Sequence, residues 1–336
     1  MNASGKKNSE TKSSVGFLTL AGPALLAVFL FQPLAQAQIA PEASPQTCVL
    51  PQMSRLIVEE GAGARVDSSR ELPGSPAGRP ENEKGIAATR NLEIDRGLQQ
   101  ARAWFEKGAR KGYAPAEINL AVALLAGWGG PRNPAQSLYW LQEAAGQHYP
   151  VAYFDLGIVY LEGCGVRQDY LQAAHYFELG AREGHAASQM NLGYLYDHGL
   201  GVTQDRAIAA AWYRKAADSD EPSAQYNLAD LYLRGEGVSQ DDSLAFTWFE
   251  KSAAQGHAAA CIMVGSLYAA GRGRPRDLSA AYQWLTAAKL QGDTRADAKL
   301  AAIESQLPAE QIKQAKSRAQ SLPRLTRPVG EVALLH

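Results

Sequence analysis

Apolar and glycine positions recur every 36 residues over the region 114–293 of the chain. One apolar position is shared by Leu120, Leu156, Leu192, Leu228 and Val264, and one aromatic position by Trp140, Tyr176, Trp212, Trp248 and Trp284. Two glycines follow the same period, as Gly199 and Gly201 do in the third unit. A fixed period of this length is typical of a solenoid, in which neighbouring units bury each other's apolar faces. We therefore predict five stacked units.

Within one unit the pattern predicts a helix, a tight turn and a second helix. Leu192, Leu195 and Tyr196 have the spacing of residues on one helix face. Gly199 is expected to end this helix, because glycine adopts the left-handed geometry of a helix stop. Asp205 then provides the N-cap of the second helix, where its carboxylate accepts backbone N–H groups.

The segments on either side of the units are predicted from the same pattern. One period before the first complete unit, three residues match it: Ala101, Trp104 and Ala109. Residues 84–113 are therefore predicted to form a half-repeat that caps the N-terminal end. Residues 294–320 are predicted to form two helices that cap the other end, and residues 321–336 a flexible tail.

The N-terminal region has the pattern of a secretion signal. In residues 1–37, lysines precede an apolar run, and Ala35 and Ala37 fit a signal-peptidase site with cleavage after Ala37. The alternative is an uncleaved anchor in the inner membrane, although the run is slightly short for a span. Residues 38–83 are rich in proline and are predicted to be a mostly disordered linker. We expect a periplasmic or secreted mature protein without a transmembrane span.

The units resemble the Sel-one-like repeat family, whose pattern is A-x-x-x-L-G-x-x-Y-x-x-G-x-G-V-x-x-D-x-x-x-A-x-x-W-Y-x-K-A-A. The third unit carries it nearly throughout, from Gln189 to Asp205, whereas the first departs at Leu124 and the fifth at Pro275. This family is related to the tetratricopeptide repeats. The resemblance implies an all-α fold, an α/α superhelical solenoid of five 36-residue helix-turn-helix repeats with flanking capping helices.

Charge argues against a nucleic-acid partner. The 33 Lys and Arg residues nearly balance the 34 Asp and Glu residues over the whole chain. Residues 114–293 contain 12 basic and 19 acidic side chains, a net charge of −7. Because nucleic-acid binders need basic surfaces, we expect a protein partner instead.

Motifs for catalysis, metals and cofactors are missing from the repeats. There is no H-E-x-x-H or C-x-x-C motif, and the Gly-x-Gly pairs follow helices instead of the strands that precede phosphate loops. His185 and His257 share one turn position, which favours a turn role over catalysis. The sequence predicts no enzyme activity, no catalytic residue, no metal site and no cofactor.

The cysteines bear on one alternative function. Some cysteine-rich secreted relatives have been linked to β-lactam binding or slow hydrolysis, so the resemblance leaves open a protein that binds or hydrolyses β-lactams or cell-wall fragments. This chain lacks their paired cysteines and has Ser-x-x-Lys only in the leader, at Ser9–Lys12. Cys164 and Cys261 lie about three layers apart, too far for a disulfide. Cys48 is left to pair with either of them or with another chain.

Candidate binding residues lie on the first helix of each unit, opposite the Leu192 position. First helices line the concave face of solenoids of this kind, so exposed residues there are expected to contact a partner. The predicted partner-binding residues fall into three columns: Asn119, Asp155, Asn191 and Asn227; Tyr194 and Asp230; Glu162, His198 and Arg234. In the alternative interpretation, the amides hold the repeat together through side-chain to backbone bonds.

The favoured function is a non-catalytic protein–protein interaction scaffold in the bacterial cell envelope, binding a partner segment on the concave face. A released or surface factor that binds a host protein is the other alternative. Family members in this compartment are associated with exopolysaccharide export, motility and host interaction. The sequence leaves the partner and the oligomeric state open.

Overall fold

The protein is an array of paired helices. The computed structural model describes residues 76–89 and 94–323. These residues form fourteen α-helices after a short 3-10 turn, with no β-strand among them, so the predicted all-α fold is confirmed. The predicted signal peptide, most of the predicted linker, Cys48 and most of the predicted tail lie outside the described residues. The helices are α1 (Arg79–Thr89), α2 (Ile94–Ala109), α3 (Ala114–Ala126), α4 (Pro134–Gly146), α5 (Pro150–Glu162), α6 (Tyr170–Arg182), α7 (Ala186–His198), α8 (Arg206–Asp218), α9 (Pro222–Arg234), α10 (Asp242–Ala254), α11 (Ala258–Ala270), α12 (Leu278–Leu290), α13 (Arg295–Glu304) and α14 (Ala309–Gln320).

Each repeat is one pair of these helices, and successive pairs pack against each other. One continuous apolar core runs from Met190 in the third repeat to Ala319 in the last helix. Aromatic side chains from the second helices fill its centre, and Tyr213 and Phe249 have no exposed surface. Because each pair shares its core with its neighbours, the predicted solenoid is confirmed.

The N-terminal end differs from the predicted half-repeat. Helix α1 begins at Arg79, inside the predicted linker, and pairs with α2 as the first helix of a sixth pair. A Cβ atom added at Gly85 would lie 2.3 Å from the Phe105 ring. The same contact recurs 72 residues later, where a Cβ at Gly157 would lie 2.4 Å from the Phe177 ring. Since 72 residues are two periods, α1 and α2 are in register with the other repeats.

The second glycine of each turn fixes the spacing between neighbouring repeats. Gly201 has a φ of +69°, and a Cβ there would lie 2.3 Å from the backbone of Tyr170. In every repeat with this turn, the close neighbour lies 31 residues earlier, at the start of the preceding second helix. Glycine is needed twice over, for the left-handed backbone and for the close approach.

The predicted caps are present at the helix starts. Asp205 Oδ1 accepts hydrogen bonds from the backbone N–H groups of Ala207 (2.9 Å) and Ile208 (3.0 Å). His185 caps a first helix in a similar way, since its Nδ1 accepts from the Ser188 N–H at 3.3 Å. His257 does the same for the Ala260 N–H at 3.2 Å. Both histidines therefore have the turn role that their shared position predicts.

The C-terminal helices cover the last repeat. Helices α13 and α14 both pack against α12, in the segment where the sequence predicts a cap. Leu300, Ile303, Ala315 and Ala319 are buried by this packing. They provide the apolar surface that a further repeat would otherwise contribute.

Candidate binding surface

The three columns predicted to bind a partner lie on helices α3, α5, α7 and α9, and we call this surface the first-helix face. Its residues have equivalent positions in successive repeats but very different exposure. In the first two repeats the first-helix face is closed except at Glu162, the last residue of α5. In the third and fourth repeats most of it is open, although Asn191 is buried. The open part therefore comprises Glu162 and the exposed or half-buried residues of the third and fourth repeats.

Three of the nine predicted residues are buried. Asn119 is 2% exposed and donates a hydrogen bond from Nδ2 to Asn82 Oδ1 on α1, at 2.9 Å. Asn191 is 3% exposed, and its Nδ2 donates to the backbone oxygen of Ala187 at 2.8 Å. Asp155 is 1% exposed. Asn191 makes the side-chain to backbone bond of the alternative interpretation, whereas Asn119 bonds a side chain of α1. Because all three residues are buried, we leave them out of the proposed contact surface.

Asp155 is an unusual buried carboxyl group. Its Oδ2 atom has no hydrogen-bond partner among the described residues. Burial raises the pKa of Asp155 from 3.8 to about 7, because the charged form loses the solvation of water. The equivalent positions in the flanking repeats hold amides, which do not titrate. The folded protein therefore holds a partly protonated carboxyl here at neutral pH.

The other six predicted residues reach the surface of the second, third and fourth repeats. Tyr194, Asn227 and Asp230 are half-buried, and Glu162, His198 and Arg234 are exposed. The His198 ring stacks on the Tyr194 ring with centroids 4.0 Å apart, and the His198 Nδ1 atom lies 3.0 Å from the Tyr194 backbone oxygen. Arg234 forms an ion pair with Asp230 at 2.7 Å. An aromatic pair and an ion pair thus occupy the first helices of two successive repeats.

A second group of ion pairs, formed by residues outside the nine predicted ones, borders this surface. Arg206 at the start of α8 lies between Asp197 (3.1 Å) and Glu236 (3.4 Å), in two successive repeats. These residues lie outside the three columns because they come from helix ends and a turn. Only their charge within an otherwise repeated pattern marks them in the sequence.

A buried tyrosine hydroxyl lies beneath the open part of the surface. Tyr213 packs against Gly193, and its hydroxyl has no hydrogen-bond partner among the described residues. Burial raises the pKa of Tyr213 well above 10, and the nearby carboxylates Asp197 and Asp230 add to the rise. The Asn227 side chain lies beside the hydroxyl and lowers the pKa, but the two groups do not have the geometry of a hydrogen bond. Equivalent positions hold Leu or Phe, which is the signal that marks Tyr213 in the sequence.

The two cysteines among the described residues are in different states. Cys164 is disulfide-bonded, whereas Cys261 is a free buried thiol, so these two cysteines do not pair, as predicted. Burial raises the pKa of Cys261 to about 12, which keeps the thiol protonated and unreactive at neutral pH. No group of three potential ligands suited to a metal ion occurs within residues 76–89 and 94–323.

Within the part of the chain that the structure describes, no helix combines the length and the apolar character that crossing a membrane requires.

Comparison with known proteins identifies the repeat. A family model described as Sel1 repeat matches six consecutive segments: 92–113, 114–149, 150–185, 186–221, 222–257 and 258–293. The first segment starts within the additional helix pair. No curated protein matches the chain.

Two solved structures are similar over most of the chain. One is c5321, a protective antigen of uropathogenic Escherichia coli strains with an SLR fold, at 30% identity and a TM-score of 0.65. The other is a Sel1 repeat protein from Oxalobacter formigenes, at 32% identity and a TM-score of 0.62. The matches cover 72% and 67% of this chain. They span only 53% of the first protein and 65% of the second.

Proposed function

The chain belongs to the Sel1 repeat family, and we propose that it is a non-catalytic scaffold of the bacterial cell envelope that binds a partner segment on its first-helix face. Sel1 repeat proteins are generally protein-interaction scaffolds, and their fold is typically non-catalytic. The proposal adds the location, the face and the nature of the bound group.

The open part of the first-helix face carries the proposal. Tyr194 and His198 stack on α7, Asp230 and Arg234 pair on α9, the first helix of the next repeat, and all four remain accessible. Exposed aromatic and arginine side chains are enriched where proteins bind each other. Equivalent positions of neighbouring repeats present side chains at regular intervals along the array, which suits an extended segment better than a compact small molecule.

The envelope location is supported by the N-terminal sequence. Residues 1–37 have the basic, apolar and small-residue regions of a secretion signal. After cleavage the mature chain would act in the periplasm or outside the cell; without cleavage the same segment would tether it to the inner membrane. Fractionation of cells expressing the full chain, with the N-terminus of the product sequenced, distinguishes these outcomes.

A released or surface factor that binds a host protein is the second candidate. One observation favours it, the 30% identity to an Escherichia coli protein described as a protective antigen. The same first-helix face would serve this function. Detection of the mature chain in the culture medium, and not in the periplasmic fraction, would favour the second candidate over the first.

Site-specific photocrosslinking in intact cells tests the binding face. A photoreactive phenylalanine analogue replaces His198 on the proposed surface or, as the control, Tyr139 on the second helix α4, which is 50% exposed. We expect a discrete crosslinked protein from position 198 and none from position 139. Equal crosslinking from both positions, or none from position 198, would overturn the proposal.

A further inference from the structure

Acidic side chains outnumber basic ones around the open part of the first-helix face. Asp197, Asp230 and Glu236 are each paired with an arginine of the same chain. Glu162 is exposed and forms no ion pair within the described residues. With two arginines against four carboxylates, the surface has an excess of negative charge. Asp155 adds a further, buried carboxyl about two turns of helix before Glu162.

We propose that the segment bound on this face is basic and places an arginine or lysine side chain against Tyr194, between Glu162 and Asp230. This inference rests on the proposed function and adds the chemistry of the partner. Glu162 and Asp230 lie on the first helices of the repeats before and after α7, and Asp197 of α7 itself acts on Tyr194, so the proposed cation would meet carboxylates from three successive repeats.

The aromatic stack provides a surface for a cation. Elsewhere the protein places its own cations over buried or half-buried aromatic rings: Lys215 lies 3.9 Å from the ring centre of Trp212, and Lys251 lies 4.1 Å from that of Trp248. No cation of the described residues lies over Tyr194, although its ring is half-buried against His198. A partner's guanidinium or ammonium group would make the interaction that the other rings already have.

The buried Tyr213 hydroxyl points to the same ligand. It lies beneath Tyr194, Asn227 and Asp230 and lacks a hydrogen-bond partner within the described residues. A buried hydroxyl without a partner is costly to the folded state. Asn227 lies beside it and is half-buried, so this side chain stands between the hydroxyl and the open part of the first-helix face. A guanidinium group, with five N–H donors, can hydrogen-bond the hydroxyl and a carboxylate together.

Peptide binding to the full mature chain tests the inference. The probes are blocked nonapeptides of alanine, glycine and serine that differ only in the central residue, which is arginine, lysine, glutamine or glutamate. Binding is followed by NMR chemical-shift changes at millimolar peptide concentrations. We expect the arginine peptide to bind about threefold or more tightly than the glutamine peptide, with shifts at Tyr194 and a preference that weakens with salt. Equal binding of the arginine and glutamine peptides, or no binding of either, would overturn the inference.

Two variants locate the effect, and the repeat itself supplies their controls. Glu162→Gln removes an exposed carboxylate without breaking an ion pair, and we expect it to lower the arginine preference about twofold to threefold. Glu178→Gln, on the second helix α6, should leave the preference unchanged. Tyr213→Phe gives the side chain found at the equivalent position 177, so the fold is retained, and arginine binding should weaken. An unchanged preference in both Glu162→Gln and Tyr213→Phe would place the cation elsewhere and overturn the assignment.

The outcomes separate this inference from the proposed function. Crosslinking from position 198 to a segment without a basic residue would contradict the inference while leaving the scaffold function intact. Failure of position 198 to crosslink any protein would contradict the function itself.

Discussion

The closed and open parts of the first-helix face use the same repeat positions for different purposes. In the first and second repeats, Asn119 and Asp155 are buried, and in the fourth repeat Asn227 and Asp230 reach the surface. The first helices have the same length, 13 residues, and the same glycine C-cap in both parts. Equivalent position in a repeat therefore does not fix whether a residue stabilises the array or is available to a partner.

The turn glycine Gly201 of the third repeat packs against the second repeat and so joins the two repeats, and replacing it should have the largest effect. Gly201→Ala places a Cβ atom 2.3 Å from the backbone of Tyr170, which cannot move aside as a side chain can. We expect a loss of about 3 kcal/mol in the free energy of unfolding, together with two separate transitions in urea denaturation.

Gly184→Ala, in the turn that links the second and third repeats, provides the control for Gly201→Ala. Gly184 also has a positive φ, +83°, but no atom lies within 4 Å of an added Cβ. Only the backbone strain remains, so a loss of about 1 kcal/mol is expected. Equal losses in the two variants would show that strain, and not contact between repeats, accounts for the requirement.

Replacing the buried carboxyl of the closed part should stabilise the protein in a pH-dependent way. The pKa of Asp155 is about 7 in the folded state and near 3.8 when unfolded, so the folded state binds the extra proton between these values. The free energy of unfolding therefore falls as pH rises from about 4 to 7, and the destabilisation by Asp155 is largest above pH 7.

Asp155→Asn removes this titration, and we expect a gain of roughly 2 kcal/mol at pH 8 and little change at pH 4. Thermal unfolding across this pH range measures it. Glu117, whose pKa burial also raises to about 7, stays in the variant and leaves a smaller slope of the same sign. A gain that is the same at both pH values would contradict the assigned pKa.

Alanine substitutions at Asn119 and Asn227, which occupy equivalent repeat positions, should distinguish the closed and open parts directly. Asn119→Ala leaves the buried Asn82 without its partner, and we expect a loss of about 1.5 kcal/mol. Asn227→Ala, at the equivalent position of the open part, should cost about 0.5 kcal/mol or less because its side chain is half-buried. Chemical denaturation measures both, and a larger loss for Asn227→Ala would reverse the comparison.

The variant with the smallest expected effect on stability changes His198 of the proposed binding surface, and its effect on partner binding should be large. His198→Ala removes an exposed ring, so the free energy of unfolding should change by no more than about 0.5 kcal/mol. Partner capture by crosslinking from a neighbouring position, such as Arg234, should nevertheless fall. A stability loss well above this value would indicate that His198 belongs to the closed, structural class.

Much of the fold could be predicted from the sequence because it depends on local rules repeated many times. Asp205 caps a helix and Gly201 makes a turn in any chain with this spacing. The sixth helix pair was missed because Asn91 and Glu93 stand where the other repeats have the turn glycines. The match of Gly85 and Phe105 to Gly157 and Phe177 was present in the sequence, but the glycine-based pattern did not use it.

Accessibility could not be predicted in the same way. The hydrogen-bond partner of the buried Asn119 amide is Asn82, which lies on a helix outside the five predicted units. The missing partner of the Tyr213 hydroxyl depends on the distance to the Asn227 side chain, which periodicity does not give. A repeat pattern specifies neighbours along the array, whereas exposure depends on the particular side chains that meet.

The 31-residue reach of the second turn glycine has a consequence for how the family's arrays change in length. Every junction joins the same two features, a turn glycine and the start of the preceding second helix. Deleting or duplicating a whole 36-residue unit would therefore bring together two surfaces that already fit. Gene duplication can lengthen the array without a new interface, and each added unit brings copies of the first-helix positions that are free to diverge.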